Sequence, residues 1–344
     1  MKASYALVVA VCCFTSLAQE KQFTPSGTIS GLMYGEYFYN VEQRDGARVD
    51  LNGFQFRRIY FTYDYNIAEQ FGTRFRLEAD QAANTSNGKI GVFVKDAYLQ
   101  WKNIFNGSDL YFGISPTPGF EISEAGWGYR SLEKTIMDLR GIVPTRDIGV
   151  DVRGRLDDDD NARYWVKIGN NSGNSSETDK FKRYYGNLHF KLTPEFQATV
   201  YADYDTRAQR LDAVDGQRKS NNRAVVAAFA GYRSEQVSAG VEGFYQSNQN
   251  NFRQSTTSTF QNQQATGVSL FLWYALSEEV RLVGRFDTFD PNTDIANDGL
   301  SLVLVSLDYL PAKNVHIMPN LYIQSYQADG DNDVIARLTF GYSF

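Results

Sequence analysis

From Thr28 onward, apolar and polar side chains alternate with a period of two, the pattern of strands with one apolar and one polar face. The clearest run is Phe54–Tyr65, where Ile59, Phe61, Tyr63 and Tyr65 alternate with Arg58, Tyr60, Thr62 and Asp64. Phe75, Leu77 and Ala79 likewise oppose Arg74, Arg76, Glu78 and Asp80, and Ala97, Leu99 and Trp101 oppose Asp96, Tyr98 and Gln100. The same rhythm predicts strands over 28–39, 54–65, 71–82, 92–102, 109–114, 146–156, 162–170, 182–192, 196–207, 222–233, 236–247, 265–276, 280–290, 299–310, 314–327 and 333–344. That is roughly 16, an even number, as in single-chain bacterial membrane barrels.

The connections alternate between short (193–195, 234–235, 277–279, 311–313) and long and polar (171–181, 208–221, 248–264). Such alternation suits an up-and-down barrel with tight turns at one rim and loops at the other. The acidic run Asp157–Asp160 lacks the ligand spacing of a calcium loop and reads as a solvated turn. One connection stands apart. Residues 115–144 carry Trp127, Tyr129, Ile136 and Leu139 among Arg130, Glu133 and Lys134, and Ser131 could cap a short helix running to Leu139. A long loop with that many apolar side chains needs a surface to pack on, and the barrel interior provides one. The expected fold is therefore an all-β, transmembrane, antiparallel up-and-down barrel with a constriction loop folded inward.

Composition sharpens this picture. Mean hydropathy is −0.41 and formal net charge −6, which alone suggest a water-soluble protein. Aromatic residues nevertheless make up 15% of the chain, and only every second strand residue of a membrane barrel faces lipid, so average hydropathy cancels. Residues 1–18 read as a secretory signal peptide, with Lys2, the apolar stretch Ala6–Phe14, and Ser16-Leu17-Ala18 before Gln19. Both cysteines, Cys12 and Cys13, fall inside it, so residues 19–344 would form one barrel without disulfides. The last strand places Phe340, Tyr342 and Phe344 on one face and should pair with the first to close the sheet. Localisation in the outer membrane of a Gram-negative bacterium follows from these readings.

If the apolar faces meet lipid, the opposite faces line the interior. There Arg58, Arg74 and Arg76 precede the long loop and Arg153 and Arg155 follow it, forming a candidate anion-binding wall. Lumenal acids are nearly as numerous, so these arginines either set a local field or pair with carboxylates and hydrate the wall. Catalysis is not expected: His189 and His316 are the only histidines, and no Gly-x-Ser-x-Gly or HExxH motif accompanies them. No cofactor, metal or nucleic-acid partner is expected. A closed structural barrel would have no use for an apolar inward loop.

The segments FQFRRIYFTYDY, EQFGTRFRLEADQA, VKDAYLQW, DLYFGISPTPGFEISE, RSLEKT and PTRDIGVDVRG, from Phe54 to Gly154, resemble the phosphate-selective porin O and P family. The likeness covers about a third of the chain, and later strands match only in pattern. It implies a 16-stranded outer-membrane channel, often a homotrimer, passing phosphate or other small anions by diffusion. It also implies that Arg58, Arg74 and Arg76 are wall cations near the constriction, that Glu133 is the acid of a loop helix, and that Arg146 and Asp147 open the strand after the loop. This chain has fewer bases than the dense arginine and lysine ladders of that family. The alternative is a general, weakly selective or cation-preferring porin.

Overall fold

A computed structural model describes residues 23–80, 88–328 and 332–344; the expected signal peptide lies outside the described residues. The strands are β1 (Ser26–Glu42), β2 (Asn52–Ala68), β3 (Phe71–Asp80), β4 (Gly91–Phe105), β5 (Ser108–Pro116), β6 (Arg146–Arg155), β7 (Ala162–Gly169), β8 (Arg183–Lys191) and β9 (Phe196–Asp205). They continue as β10 (Arg210–Leu211), β11 (Arg218–Lys219), β12 (Arg223–Arg233), β13 (Val237–Phe252), β14 (Gln261–Ala275), β15 (Val280–Asp290), β16 (Leu300–Ala312), β17 (Val315–Tyr326) and β18 (Asn332–Ser343). All but β10 and β11 close into one antiparallel barrel in which each strand pairs with its neighbours in sequence and β18 pairs with β1. The pair β10–β11 is a small hairpin within a connection that the periodicity reads only as a polar loop.

Closure is sealed by Phe344 and Gly31, whose backbone groups exchange two 3.0 Å hydrogen bonds. The Phe344 ring lies over Gly31 so closely that a Cβ there would sit 2.3 Å from it. The closed sheet has no edge strand, as a bilayer demands.

The outer face carries the apolar half of the pattern. Phe61, Leu99, Trp101, Val150, Val226, Leu270, Leu272, Val305 and Tyr342 are exposed there. Inward neighbours such as Arg58, Glu78, Asp151 and Lys167 are buried in the barrel interior.

Among the register shifts in the ladder, two turn an extra charged residue inward. In β2, Tyr34 pairs with Arg58 while Gly35 pairs with Phe56, leaving Arg57 as an extra residue. In β4, Arg76 pairs with Asp96 while Leu77 pairs with Val94, leaving Lys95 as another. A bulge of this kind sets two successive side chains on one face. Arg57 and Arg58 therefore both point inward, as do Lys95 and Asp96, and all four are wholly or largely buried.

The orientation has a direct test, because the sequence has no cysteine beyond Cys13. Single cysteines at Phe61, Leu99, Trp101, Val150 and Tyr342 should react with a lipid-soluble maleimide in membranes, whereas cysteines at Arg58, Arg76 and Asp151 should not. The reverse labelling pattern would place the strands inside out.

Candidate functional site

The interior has two chemically different walls, and the loop between β5 and β6 (residues 117–145) lies against one of them. On β12 and β14, apolar residues occupy the inner face as well as the outer. Val225, Ala227, Phe229, Phe271 and Trp273 are buried while Val226, Leu270 and Leu272 are exposed on the outside. Val283, Leu302, Leu304 and Met318 extend this inner apolar surface across β15–β17. Trp127, Tyr129 and Leu132 of the loop pack on it, and Phe120, Ile136, Met137, Ile142 and Val143 pack beside them against Tyr185, Tyr201 and Phe244. Each such side chain, removed from water, contributes about 1.5–3 kcal/mol, so the loop has a strong reason to fold inward.

The loop contains two short helices, α1 (Glu121–Trp127) and α2 (Ile136–Leu139). The expected helix from Ser131 to Leu139 is only its second half, and its cap is Thr135 rather than Ser131. The reason is that the carbonyls of residues 131–134 are taken by other donors. Arg57 Nη1 donates to Leu132 O at 2.6 Å and to Ser131 O at 3.2 Å. Arg337 Nη1 reaches Leu132 O at 3.4 Å, Trp127 Nε1 donates to Glu133 O at 2.8 Å, and Arg285 donates to Lys134 O. Glu133 sits buried at the centre, with Arg57 Nη2 at 3.2 Å and Arg337 Nη1 at 3.9 Å. Burial opposes ionisation of its carboxyl, but Arg57, Arg337 and the Lys134 amide prevail and hold its pKa below the usual glutamate value.

The charged wall, on β1–β7, is where most of the expected arginines lie. Arg58 Nε is 3.0 Å from Glu78 Oε1, and Lys95 Nζ is 2.9 Å from the other oxygen of that carboxylate. Arg76 lies 3.4 Å from Asp96, which also pairs with Arg146. The guanidinium groups of Arg58 and Arg76 both approach the Tyr60 ring, at 5.6 and 5.0 Å from its centroid. Arg76, Arg130 and Arg146 line a cavity of about 400 Å³ beside α1, together with Glu121 and Glu124.

The other expected residues are placed elsewhere. Arg74 does not join Arg58 and Arg76: it turns to Asp64, at 2.7 Å, nearer the short-turn rim. Arg153 and Arg155 lie around a separate cavity at that rim. Trp127 and Tyr129 are core residues of the loop, the latter donating its hydroxyl to Asp308 at 2.9 Å. Arg130 is held by Glu124 and Asp138, and Lys134 presents its backbone carbonyl to Arg285. Arg57 and Lys95, which strict alternation sends outward, are the residues that reasoning from period two misses. The Arg-Arg and Lys-Asp doublets, each placing a charge on the lipid side in a regular strand, are the signal that could have found them.

Other chemistry is sparsely represented. His189 Nε2 bonds to Gln197 at 2.8 Å and His316 Nδ1 to Asp308 at 2.9 Å. Among the described residues no group of three His, Cys, Asp or Glu is placed to hold a metal ion.

No protein-family model matches the chain, and no curated protein is similar to it in sequence. In shape it resembles the outer membrane channel DcaP of Acinetobacter baumannii, with TM-score 0.68 and 15% identity over 93% of this chain and 97% of that one. An anion-selective porin from Comamonas acidovorans superposes with TM-score 0.68 and 11% identity over 93% of this chain and 100% of its own. OmpF of Salmonella typhi, in complex with daunomycin, gives 0.62 and 12% over 92% and 97%. At these identities the likeness establishes the barrel fold.

Two outcomes follow for the loop anchor. Arg57→Ala should weaken docking by about 3 kcal/mol, the low end for breaking a largely buried ion pair. Trypsin should then cut after Lys134 in the folded barrel, where the wild type resists. The contribution of Glu133 should be present above about pH 4.5, the ordinary glutamate value, and be lost as pH falls through its lower folded value. Current noise from loop motion should therefore rise only in acid, and Glu133→Gln should show it at every pH.

Proposed function

We propose that this chain is an outer-membrane porin, passing small hydrophilic solutes by passive diffusion with a preference for anions such as phosphate. The carrying observation is the charge count in one cluster of the charged wall: two carboxylates, Glu78 and Asp96, serve four cations, Arg58, Lys95, Arg76 and Arg146. A buried or half-buried surplus of positive charge is weakly screened and raises the local concentration of anions. Arginine adds a planar fork of donors that matches phosphate oxygens and stays charged at any working pH. The likeness of the Phe54–Gly154 segments to phosphate-selective porins supports the same reading, as does a neighbour in shape described as an anion-selective porin.

A general, weakly selective porin is the second reading. It is favoured by Arg130, which is flanked by two acids, Glu124 and Asp138, and so takes back part of that surplus. The same proposal places the mature chain, freed of residues 1–18, in the outer membrane of a Gram-negative bacterium, as a homotrimer without catalytic activity.

Reversal potentials across a salt gradient in planar bilayers test the selectivity. The wild type should prefer anions, phosphate should inhibit its chloride current, and Arg76→Ala combined with Arg146→Ala should shift the potential toward cations. A cation-preferring wild type whose current ignores phosphate would leave the general porin. Shortening the loop within Gly119–Leu139 should raise single-channel conductance; an unchanged conductance would move the narrow point away from it.

A further inference from the structure

At the short-turn rim, between α1 and the wall of β5–β9, lies a cavity of about 650 Å³. That volume falls in the range of about 300–1,000 Å³ typical of small-molecule sites. Its two sides are unlike. On the barrel side, the Arg153 guanidinium is held between the rings of Tyr111 and Trp165, at 4.0 and 3.7 Å from their centroids. On the loop side, Phe120 and Ile122 present apolar surface, with Glu121 between them.

Most charges here are committed. Arg153 Nε lies 2.6 Å from Asp151, and Asp160 holds both Arg163 and Lys191. Asp109 accepts from the Gln100 amide at 2.7 Å and the Asn103 backbone at 3.0 Å. Arg155 and Glu121 are both exposed and, among the described residues, neither side chain has a hydrogen-bond partner or an oppositely charged partner within ion-pair distance. Arg155 lies across Gly107, where a Cβ would come within 2.6 Å of its Nε, so the missing side chain makes room for it. An uncommitted cation on the barrel wall thus shares one cavity with an uncommitted acid on the loop, and aromatic rings line the space between.

We propose that this cavity binds a small zwitterion with an apolar body, a free aromatic amino acid being the simplest case. Its carboxylate would meet Arg155 and its ammonium Glu121, while its ring would lie among Phe120, Ile122 and Tyr111. A plain organic anion fits less well, because the lining carries as many acids (Asp109, Glu121, Asp160) as arginines (Arg153, Arg155, Arg163). The cavity adjoins the one lined by Arg76 and Arg146, with Phe120 and Glu121 between the two, but occupancy does not require flux, so binding can be tested apart from transport.

The test is calorimetric titration of the folded, detergent-solubilised barrel with phenylalanine, 3-phenylpropionate, which lacks the ammonium, and phenethylamine, which lacks the carboxylate. Charge-assisted bonds at both ends should make phenylalanine bind about tenfold or more tighter than either analogue. Glu121→Gln should erase its advantage over 3-phenylpropionate, and Arg155→Gln its advantage over phenethylamine, with heat-modifiable gel mobility checking that each variant is folded. Trp165→Phe should remove any fluorescence change on binding. Equal affinity for phenylalanine and 3-phenylpropionate would make this an organic-anion site, and unaltered phenylalanine binding in both charge variants would overturn the assignment altogether. Single-channel conductance of the same preparations reads the transport proposal separately.

Discussion

The backbone carbonyls of residues 131–134 are the point on which the interior depends. In a helix they would be satisfied locally; here Arg57, Arg285, Arg337 and the Trp127 indole supply the donors. Three of these donors come from the barrel wall, on β2, β18 and β15, within an arc of six neighbouring strands. The loop is thereby tied to one side of the lumen rather than merely laid in it. Glu133 completes the arrangement by neutralising Arg57 and Arg337, which would otherwise repel each other in a poorly solvated place.

Apolar packing and polar anchoring have different tasks in that loop. Burial of Trp127, Leu132, Ile136 and Met137 against β12–β17 supplies most of the driving force, because burial is additive over many side chains. It has little directional preference. The arginine–carbonyl bonds are fewer, but they fix which face of the loop is turned toward the charged wall. That division leaves Arg58, Arg76, Lys95 and Arg146 opposite the loop, sharing two carboxylates between them.

The two bulges account for the density of charge on that wall. A regular strand offers the lumen one side chain in two, and a bulge offers it two in succession. Arg57 anchors the loop while Arg58 stays with the wall, and Lys95 meets Glu78 while its neighbour Asp96 meets Arg76 and Arg146. One barrel strand can in this way serve both the constriction and its support.

The barrel was legible in the chain because period-two alternation is a local property: a lipid-facing residue such as Phe61 or Leu99 meets the same medium whatever strand lies beside it. The alternation of short and long connections settled which rim was which, and the apolar content of the long loop implied its inward course. What only the tertiary structure decided depends on partners far away in sequence. Register between β1 and β2 and between β3 and β4 determines that Arg57 and Lys95 bulge inward. The donors reaching the 131–134 carbonyls shorten the expected helix, and the Asp64 carboxylate draws Arg74 away from its expected companions. The inner apolar wall was half visible, as the runs around Phe271 and Leu302 that are apolar on both faces. No local pattern could say which of those two faces met lipid and which met the loop, because both surroundings exclude water and select the same side chains.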